Sequence, residues 1–144
     1  MKEYEIVDIL VGYLKSLGYA MATEVAGIDI VAIKGGTTFI IEAKGDQINT
    51  GKAVQIVIGQ IISRMSVKAG DDRKYGIAVS PEHLDAFRCW GVEGLRLLPI
   101  HLFLVDKKGG VEVKSPEEFV SLIEGLKSEE YNAISYKNIN SGGE

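Results

Sequence analysis

Three charged residues lie in a stretch that is otherwise almost entirely apolar: Asp29 in IDIVAIK, and Glu42 and Lys44 in FIIEAKG. Two carboxylates and an ammonium of this kind can hold a divalent cation and act on a phosphate. Hard cations such as Mg²⁺ take one or two carboxylates together with waters and substrate phosphate oxygens. This chemistry requires the three side chains to meet, although Asp29 lies well before the other two in the chain.

The glycine pair Gly35-Gly36 predicts how they meet. The apolar runs on either side are typical of strands, and two glycines can take the positive φ angles of a two-residue hairpin turn. In such a hairpin the numbers of facing residues sum to 71, so Asp29 faces Glu42. Opposed residues share a face with Cβ atoms about 5 Å apart, and Lys44 shares that face by alternation. The sequence therefore predicts a charged cluster at one end of a hairpin from Gly27 to Gly45.

Such a cluster destabilises the folded protein unless a ligand compensates its charges. Opposed like charges destabilise a strand pair, and two close carboxylates raise one pKa unless a cation lies between them. A divalent cation would remove this conflict. In the alternative interpretation Asp29 caps a strand end, while Glu42 and Lys44 form an ordinary ion pair at the sheet edge. The apolar neighbours favour the metal site because they deny the charges a solvated face: Ile28, Ile30, Val31, Ile40 and Ile41.

Elements before the hairpin follow from periodicity. Apolar residues at helical spacing predict an amphipathic helix from Lys2 to Leu17, with Gly18 as its stop. Glu3 lies on the apolar stripe of this helix, where it either reaches toward the metal site or remains at a wet helix end. A short strand from Tyr19 to Val25 follows, so we expect three consecutive antiparallel strands.

The helix predicted after the hairpin, from about Gly51 to Val67, is apolar nearly all round. Such a helix is normally buried between layers. Gln60 stands out on it because a buried amide must find hydrogen-bond partners. It shares a helix face with Arg64, and it either supports the site or bonds backbone or water at the helix flank.

The remaining elements are predicted from short apolar runs and turn residues. They are a strand from Lys74 to Ser80 reached by a crossover, a short helical segment from Glu82 to Trp90, strands IHLFLVD and VEV, and a final helix from Pro116 to about Leu126 capped by Ser115. From Ser128 the chain is polar, so residues 1–127 are expected to form one domain. Residues 128–144 are expected to form a tail that is disordered or held by a partner subunit.

Isolated residues carry less information. His83 and His101 show no metal-ligand spacing and are expected to be structural or surface residues. Cys89, the lone cysteine, is expected to be a small core residue beside Trp90.

Composition points to a soluble globular domain. The chain has 144 residues, of which 46% are hydrophobic and 25% charged, an ordinary balance for one domain with a real core. No apolar run approaches the roughly 20 residues that span a bilayer, and MKEYE lacks the basic character of a secretion signal, so we expect a cytoplasmic protein. The net charge of −4 is unusual for a nucleic-acid binder. Acids concentrate late in the chain, however, and a local basic rim around the hairpin stays open.

The order helix, three strands, helix, strand, with an acid on the second strand and E-x-K on the third, resembles the PD-(D/E)xK nuclease superfamily, which has the restriction-endonuclease-like fold. The resemblance covers roughly residues 2–80 and implies an α/β domain with an αβββαβ core, in which helices flank a mixed central sheet. It makes Asp29 the motif acid, Glu42 and Lys44 the E-x-K pair, and the backbone carbonyl of Ala43 a further metal ligand. Gln60 matches a supporting Gln of several branches. Glu3 is only a loose counterpart of the first-helix acid found in some.

The resemblance implies a metal-dependent endonuclease that hydrolyses phosphodiester bonds of duplex or branched DNA with Mg²⁺ or Mn²⁺. Lys44 would position or help deprotonate the attacking water, and Gln60 would orient Lys44 or a phosphate oxygen. Many members act as dimers, so a homodimer is expected. One alternative is a non-catalytic binding or scaffold domain that keeps the fold and the charged triplet. A weaker one is a small metabolite-binding domain in which Asp29 and Glu42 serve another metal.

Overall fold

The computed structural model describes residues 1–46, 49–65 and 72–142, with the side chains of the last helix described as far as residue 129. The elements follow the chain as α1 (Glu3–Ser16), β1 (Ala20–Val25), β2 (Ile28–Lys34), β3 (Thr37–Ala43), α2 (Thr50–Arg64), β4 (Arg73–Val79), a 3₁₀ segment (Pro81–Cys89), α3 (Val92–Arg96), β5 (Ile100–Val105), β6 (Val111–Lys114) and α4 (Pro116–Gly142). The predicted order of helix, three strands, helix and strand is present.

The strands of the described residues form one six-stranded mixed sheet, in which they lie side by side in chain order from β1 to β6. Strands β1, β2 and β3 are antiparallel to one another, whereas β3, β4 and β5 are parallel and β6 is antiparallel to β5. The chain crosses over through α2 between the parallel strands β3 and β4. The protein is therefore a mixed α/β domain with helices flanking the sheet.

The predicted register of the β2–β3 hairpin is confirmed. Gly35 and Gly36 have φ angles of +56° and +82°, which a two-residue turn requires and which glycine adopts without a Cβ clash. Lys34 pairs with Thr37, and Ile30 pairs with Ile41. Asp29 and Glu42 are the next facing positions of this register.

Two apolar clusters lie on opposite faces of the sheet. One face packs against α1 through Ile6, Leu10 and Leu14. The other packs against α2, the 3₁₀ segment and α4, which contribute residues such as Val57, Phe87 and Phe119. Strand alternation assigns each side chain to one cluster: in β3, Ile41 belongs to the α1 cluster, while Ile40 belongs to the α2 cluster. Glu42, two residues after Ile40, is therefore on the α2 face.

Helix α2 is less buried than its composition predicts. Its buried stripe is Ala53, Val54, Val57 and Ile61, but Ile56 and Ile62 remain 43% and 44% exposed. The prediction of burial on all sides is wrong because α2 packs on one face of the sheet and has no layer on its other side among the described residues. The helix ends at Arg64, and the predicted end at Val67 lies outside the described residues.

The C-terminal half differs from prediction in three places. The predicted helical segment is a 3₁₀ helix, and α3 follows it as an additional helix too short to show periodicity. The last helix continues to Gly142, so the predicted end near Leu126 is wrong. No proline interrupts this stretch, and polar residues alone do not end a helix. The division into residues 1–127 and a tail of 128–144 stays a prediction.

The lone cysteine and the two histidines differ in how deeply they are buried. Cys89 is exposed, so its prediction as a core residue is wrong: the 3₁₀ segment turns it outward, and its thiol donates to the carbonyl of Ala86. His83 is fully buried. The ring of His101 is half-buried against Phe39, and burial lowers its pKa.

Within the described residues, no helix is both long enough and apolar enough to cross a membrane.

Candidate active site

Asp29 and Glu42 lie side by side at the end of the β2–β3 hairpin, as the register predicts. Asp29 is close enough to the Glu42 carboxyl to contribute to the rise in its pKa. Asp29 is further fixed by the backbone of the opposite strand, since its Oδ2 accepts a hydrogen bond of 2.8 Å from the amide of Ala43. Both acids thus belong to a rigid part of the sheet.

Glu42 is a buried acid, with a residue exposure of only 1%. Burial, and secondarily the neighbouring Asp29, raises its pKa from 4.5 to about 7, against the opposing effect of Arg64. A carboxyl group in this position is only partly ionised at neutral pH unless a further cation stabilises the charged form. The electrostatic conflict predicted from the sequence is therefore present.

Arg64, in the last turn of α2, is the cation that the chain itself brings to Glu42. Its Nε donates to Oε1 of Glu42 at 3.0 Å, and its Nη2 donates to the carbonyl of Gly27 at 2.9 Å. The side chain is 30% exposed, so part of it reaches solvent. Sequence reasoning gave Arg64 no role, although its place on the face of Gln60 was the available signal.

Gln60 lies one helical turn before Arg64. Its Oε1 is buried and accepts no hydrogen bond from any residue that the structure describes. The predicted contact with Lys44 is not made, and the role of Gln60 in catalysis stays a prediction. A buried acceptor without a donor is rare in native proteins and indicates a missing partner, such as water, a ligand or a rearranged side chain.

Lys44 does not join Asp29 and Glu42. Strand β3 ends at Ala43, so the alternation that predicts a shared face stops one residue earlier. The Lys44 ammonium instead lies 3.2 Å from Oε1 of Glu3 at the start of α1. Among the described residues it forms no ion pair with Asp29 or Glu42.

A cavity of about 190 Å³ lies beside Asp29. Its walls include Glu3 from α1 and Asp29 from β2, together with Tyr4, Val7, Asp8, Thr23 and Glu24. Glu24 has a φ of +55°, an uncommon conformation for a residue with a side chain. The cavity gives solvent and small ligands access to Asp29, and Glu3, which pairs with Lys44, forms part of its wall.

A buried polar cluster next to the site fixes α1 against the end of β3. Ser80 donates to Asp46 at 2.9 Å, and Nδ1 of His83 lies 3.0 Å from the Ser80 hydroxyl. The terminal ammonium of Met1 forms an ion pair with Asp46. Burial raises the pKa of Asp46, but hydrogen bonds from Met1 and Ser80 outweigh it and lower that pKa. The cluster holds the start of α1, and with it Glu3, beside Lys44. Of the two expectations for His83, a structural or a surface residue, its full burial agrees with the first.

The donor set at Asp29 and Glu42 consists of oxygen atoms only, which suits Mg²⁺ or Mn²⁺. The backbone carbonyl of Ala43 follows directly after Glu42 in the chain. Within the described ranges, no three acidic, histidine or cysteine side chains lie close enough together to hold a metal ion. An ion bound here would complete its coordination with backbone, water or substrate oxygens, as Mg²⁺ usually does.

No protein-family model matches the chain, and no curated protein sequence matches it. Its fold is similar to the crystal structure of an FdxN element excision controlling factor protein from Anabaena variabilis, with a TM-score of 0.56. The superposition covers 75% of this chain and 95% of that one, and the two sequences are 18% identical. At this identity the likeness shows a shared fold alone.

Proposed function

We propose that the protein is a restriction-endonuclease-like, metal-dependent deoxyribonuclease that hydrolyses phosphodiester bonds at the Asp29, Glu42 and Lys44 site. The supporting observation is the buried carboxyl of Glu42 beside a second carboxyl at the end of a rigid hairpin. Perturbed acids of this kind concentrate at functional sites because burying them costs stability. The structurally similar protein is named for controlling the excision of an element, and such a process is compatible with a nucleic-acid substrate.

Each residue has a role that follows from its position. Asp29, Glu42 and the carbonyl of Ala43 would hold Mg²⁺ or Mn²⁺, which neutralises the phosphate and activates water. Lys44 retains a side-chain exposure of 20%, so its ammonium can contact a phosphate oxygen and stabilise charge that develops during hydrolysis. Glu3 restrains Lys44 through their ion pair.

The test is cleavage of supercoiled plasmid, single-stranded DNA and branched DNA with Mg²⁺ or Mn²⁺. We expect the wild type to cut at least one substrate, and Glu42→Ala and Lys44→Ala to lose this activity. The chain offers a matched control, because Glu112 and Lys114 form an exposed E-x-K pair on β6 with a contact of 2.8 Å. Glu112→Ala and Lys114→Ala should cut like the wild type. A wild type that cuts nothing, or site variants that cut equally well, would refute the nuclease proposal.

A non-catalytic binding or scaffold domain is the second candidate, and Arg64 is the observation that favours it. The guanidinium already pairs with Glu42, so the charged form of this acid has a cationic partner without a metal. Calorimetric titration of Mg²⁺ into the wild type and into Asp29→Asn separates the two candidates further. Metal binding that depends on Asp29 without any cleavage would favour the binding domain.

A further inference from the structure

We propose that Arg64 competes with the divalent cation for Glu42, so that the guanidinium must leave the carboxylate before the site can be loaded. The inference rests on the proposed metal site but adds a residue and a step to it. Arg64 becomes a positioning residue that closes the site in the absence of metal.

The geometry carries the proposal. The Arg64 Nε is bonded to Oε1 of Glu42, while the Glu42 carboxyl also approaches Asp29. A divalent ion between the two acids would therefore lie within a few ångströms of a guanidinium. Two cations at such separation around one carboxylate repel strongly in a partly buried site. Binding of one weakens binding of the other.

The surroundings of Arg64 allow its guanidinium to move away from Glu42. Its second contact is an exposed backbone carbonyl, that of Gly27, and the side chain already reaches solvent. Among the described contacts, release therefore breaks two hydrogen bonds, and it does not open the core. Gly27 also packs closely on this arginine, since a Cβ at that position would lie 3.3 Å from its Nη2.

Gln60 gives the released guanidinium an acceptor on its own helix. Residues four apart on a helix are neighbours on its surface, and Gln60 precedes Arg64 by this spacing. Its Oε1 is buried without a hydrogen-bond donor among the described residues. A guanidinium released from Glu42 would supply that donor, so the orphaned oxygen has a use in the metal-loaded state.

The experiment is calorimetric titration of Mg²⁺ at pH 8.5, where the Glu42 carboxyl is ionised although burial raises its pKa to about 7. We expect Arg64→Met to bind Mg²⁺ about 10-fold to 100-fold more tightly than the wild type, the range that corresponds to a charge-assisted hydrogen bond. Arg64→Lys, which keeps a charge without the paired contacts, should lie in between. Arg96→Met is the matched control, because Arg96 pairs with Glu93 and Glu124 at the surface, and its affinity should equal that of the wild type.

A double-mutant cycle tests the role of Gln60. Gln60→Leu should weaken Mg²⁺ binding several-fold in the wild type and leave it unchanged in Arg64→Met. In a ¹H–¹⁵N spectrum, the Nε–H signal of Arg64, assigned by its loss in Arg64→Met, should shift on saturation with Mg²⁺. Melting curves without metal establish that each variant is folded.

The outcomes separate this inference from the proposed function. Equal or weaker Mg²⁺ binding by Arg64→Met, with clear binding by the wild type, overturns the competition and leaves the metal site intact. An Arg64 signal unchanged at saturating Mg²⁺ does the same. Absence of Mg²⁺ binding in every variant overturns the competition together with the metal site on which it rests.

Discussion

Glu42 is buried beside Asp29, and its raised pKa makes the stability of the protein depend on pH. The folded state holds the Glu42 proton up to about pH 7, whereas the unfolded chain releases it near 4.5. Between these values the folded state binds more protons, so stability falls as pH rises. The loss is complete above about pH 7 and amounts to about 3 kcal/mol.

Glu42→Gln should remove this dependence. We expect urea unfolding to show that the wild type loses on the order of 3 kcal/mol between pH 4 and pH 8 relative to Glu42→Gln. The surface variant Glu93→Gln should follow the wild-type curve, because the side chain of Glu93 is 88% exposed. Parallel curves for the wild type and Glu42→Gln would contradict burial as the cause of the raised pKa.

Lys44 should matter for cleavage far more than for folding. Its pair with Glu3 joins side chains that are 20% and 39% exposed, and pairs of this kind contribute less than about 1 kcal/mol. We expect Lys44→Met to unfold within about 1 kcal/mol of the wild type but to lose cleavage by at least about 100-fold, the usual scale for a lost electrostatic contact in the transition state. A large loss of stability would assign Lys44 a structural role instead.

The two acids could be predicted from the sequence because a two-residue turn fixes the register of a hairpin locally. The predicted position of Lys44 beside Asp29 and Glu42 is wrong because β3 ends at Ala43. Strand ends depend on the packing of neighbouring elements, which the sequence pattern does not give. Arg64 reaches Glu42 through the position of α2 on the sheet. Helical spacing places Arg64 on the face of Gln60, but no local pattern encodes where α2 lies on the sheet. The sequence therefore does not predict the contact of Arg64 with Glu42.

At the level of elements, the close contact between the start of α1 and the end of β3 determines where Glu3 lies in the site. A Cβ at Gly45 would lie 2.5 Å from the amide nitrogen of Glu3 and 2.9 Å from the carbonyl carbon of Lys2. Backbone atoms cannot move aside as flexible side chains can, so a larger residue must push the start of α1 away. Glu3 would then lose its place beside Lys44.

Gly45→Ala should therefore destabilise the protein by about 1–3 kcal/mol, the usual range for overpacking, and reduce cleavage as well. Gly59→Ala on α2 is the control, since a Cβ at that position would have no described neighbour within 4 Å, and alanine should stabilise that helix by about 0.5–1 kcal/mol. Thermal melts and cleavage rates of both variants check this pair. A Gly45→Ala protein as stable as the wild type would show that α1 does not pack tightly against β3.

The burial of helix α2 is not predicted correctly from its composition. Its many isoleucines and valines predict burial on all sides, yet hydrophobic residues alone do not determine how many layers surround a helix. Only the arrangement of the sheet and its neighbours decides that Ile56 and Ile62 face outward. The element order, by contrast, follows from turn glycines and short periodic runs, and it was predicted correctly as far as β4.

For the whole molecule, the first turns of α4 pack into the core. Phe119 and Ile123 are buried in the core, and the 3₁₀ segment is tied to this helix through Arg88, which donates to the carbonyl of Leu126 at 2.6 Å. Lys127 returns a hydrogen bond of 2.9 Å to the carbonyl of Arg88.

A variant that ends at Glu129 retains these contacts, so it should keep the fold. We expect its melting temperature to lie within about 4 °C of the full chain, which corresponds to less than about 1 kcal/mol for a domain of this size. Cleavage should also be retained, since the site lies in the first half of the chain. A melting temperature lower by much more, or a change of oligomeric state in sedimentation, would show that residues 130–144 belong to the folded unit.

Mg²⁺-dependent nicking of supercoiled plasmid at pH 8, measured with wild type and Glu42→Gln at equal concentration, tests the proposed chemistry most directly. Glutamine preserves the size of the side chain and removes the charge that would hold the cation. The wild type should nick the plasmid only when Mg²⁺ is present, and Glu42→Gln should be slower by at least about 100-fold, a typical cost of losing one electrostatic contribution to catalysis. Equal rates for the two proteins, or nicking that persists in a metal chelator, would contradict a metal-dependent nuclease at this site.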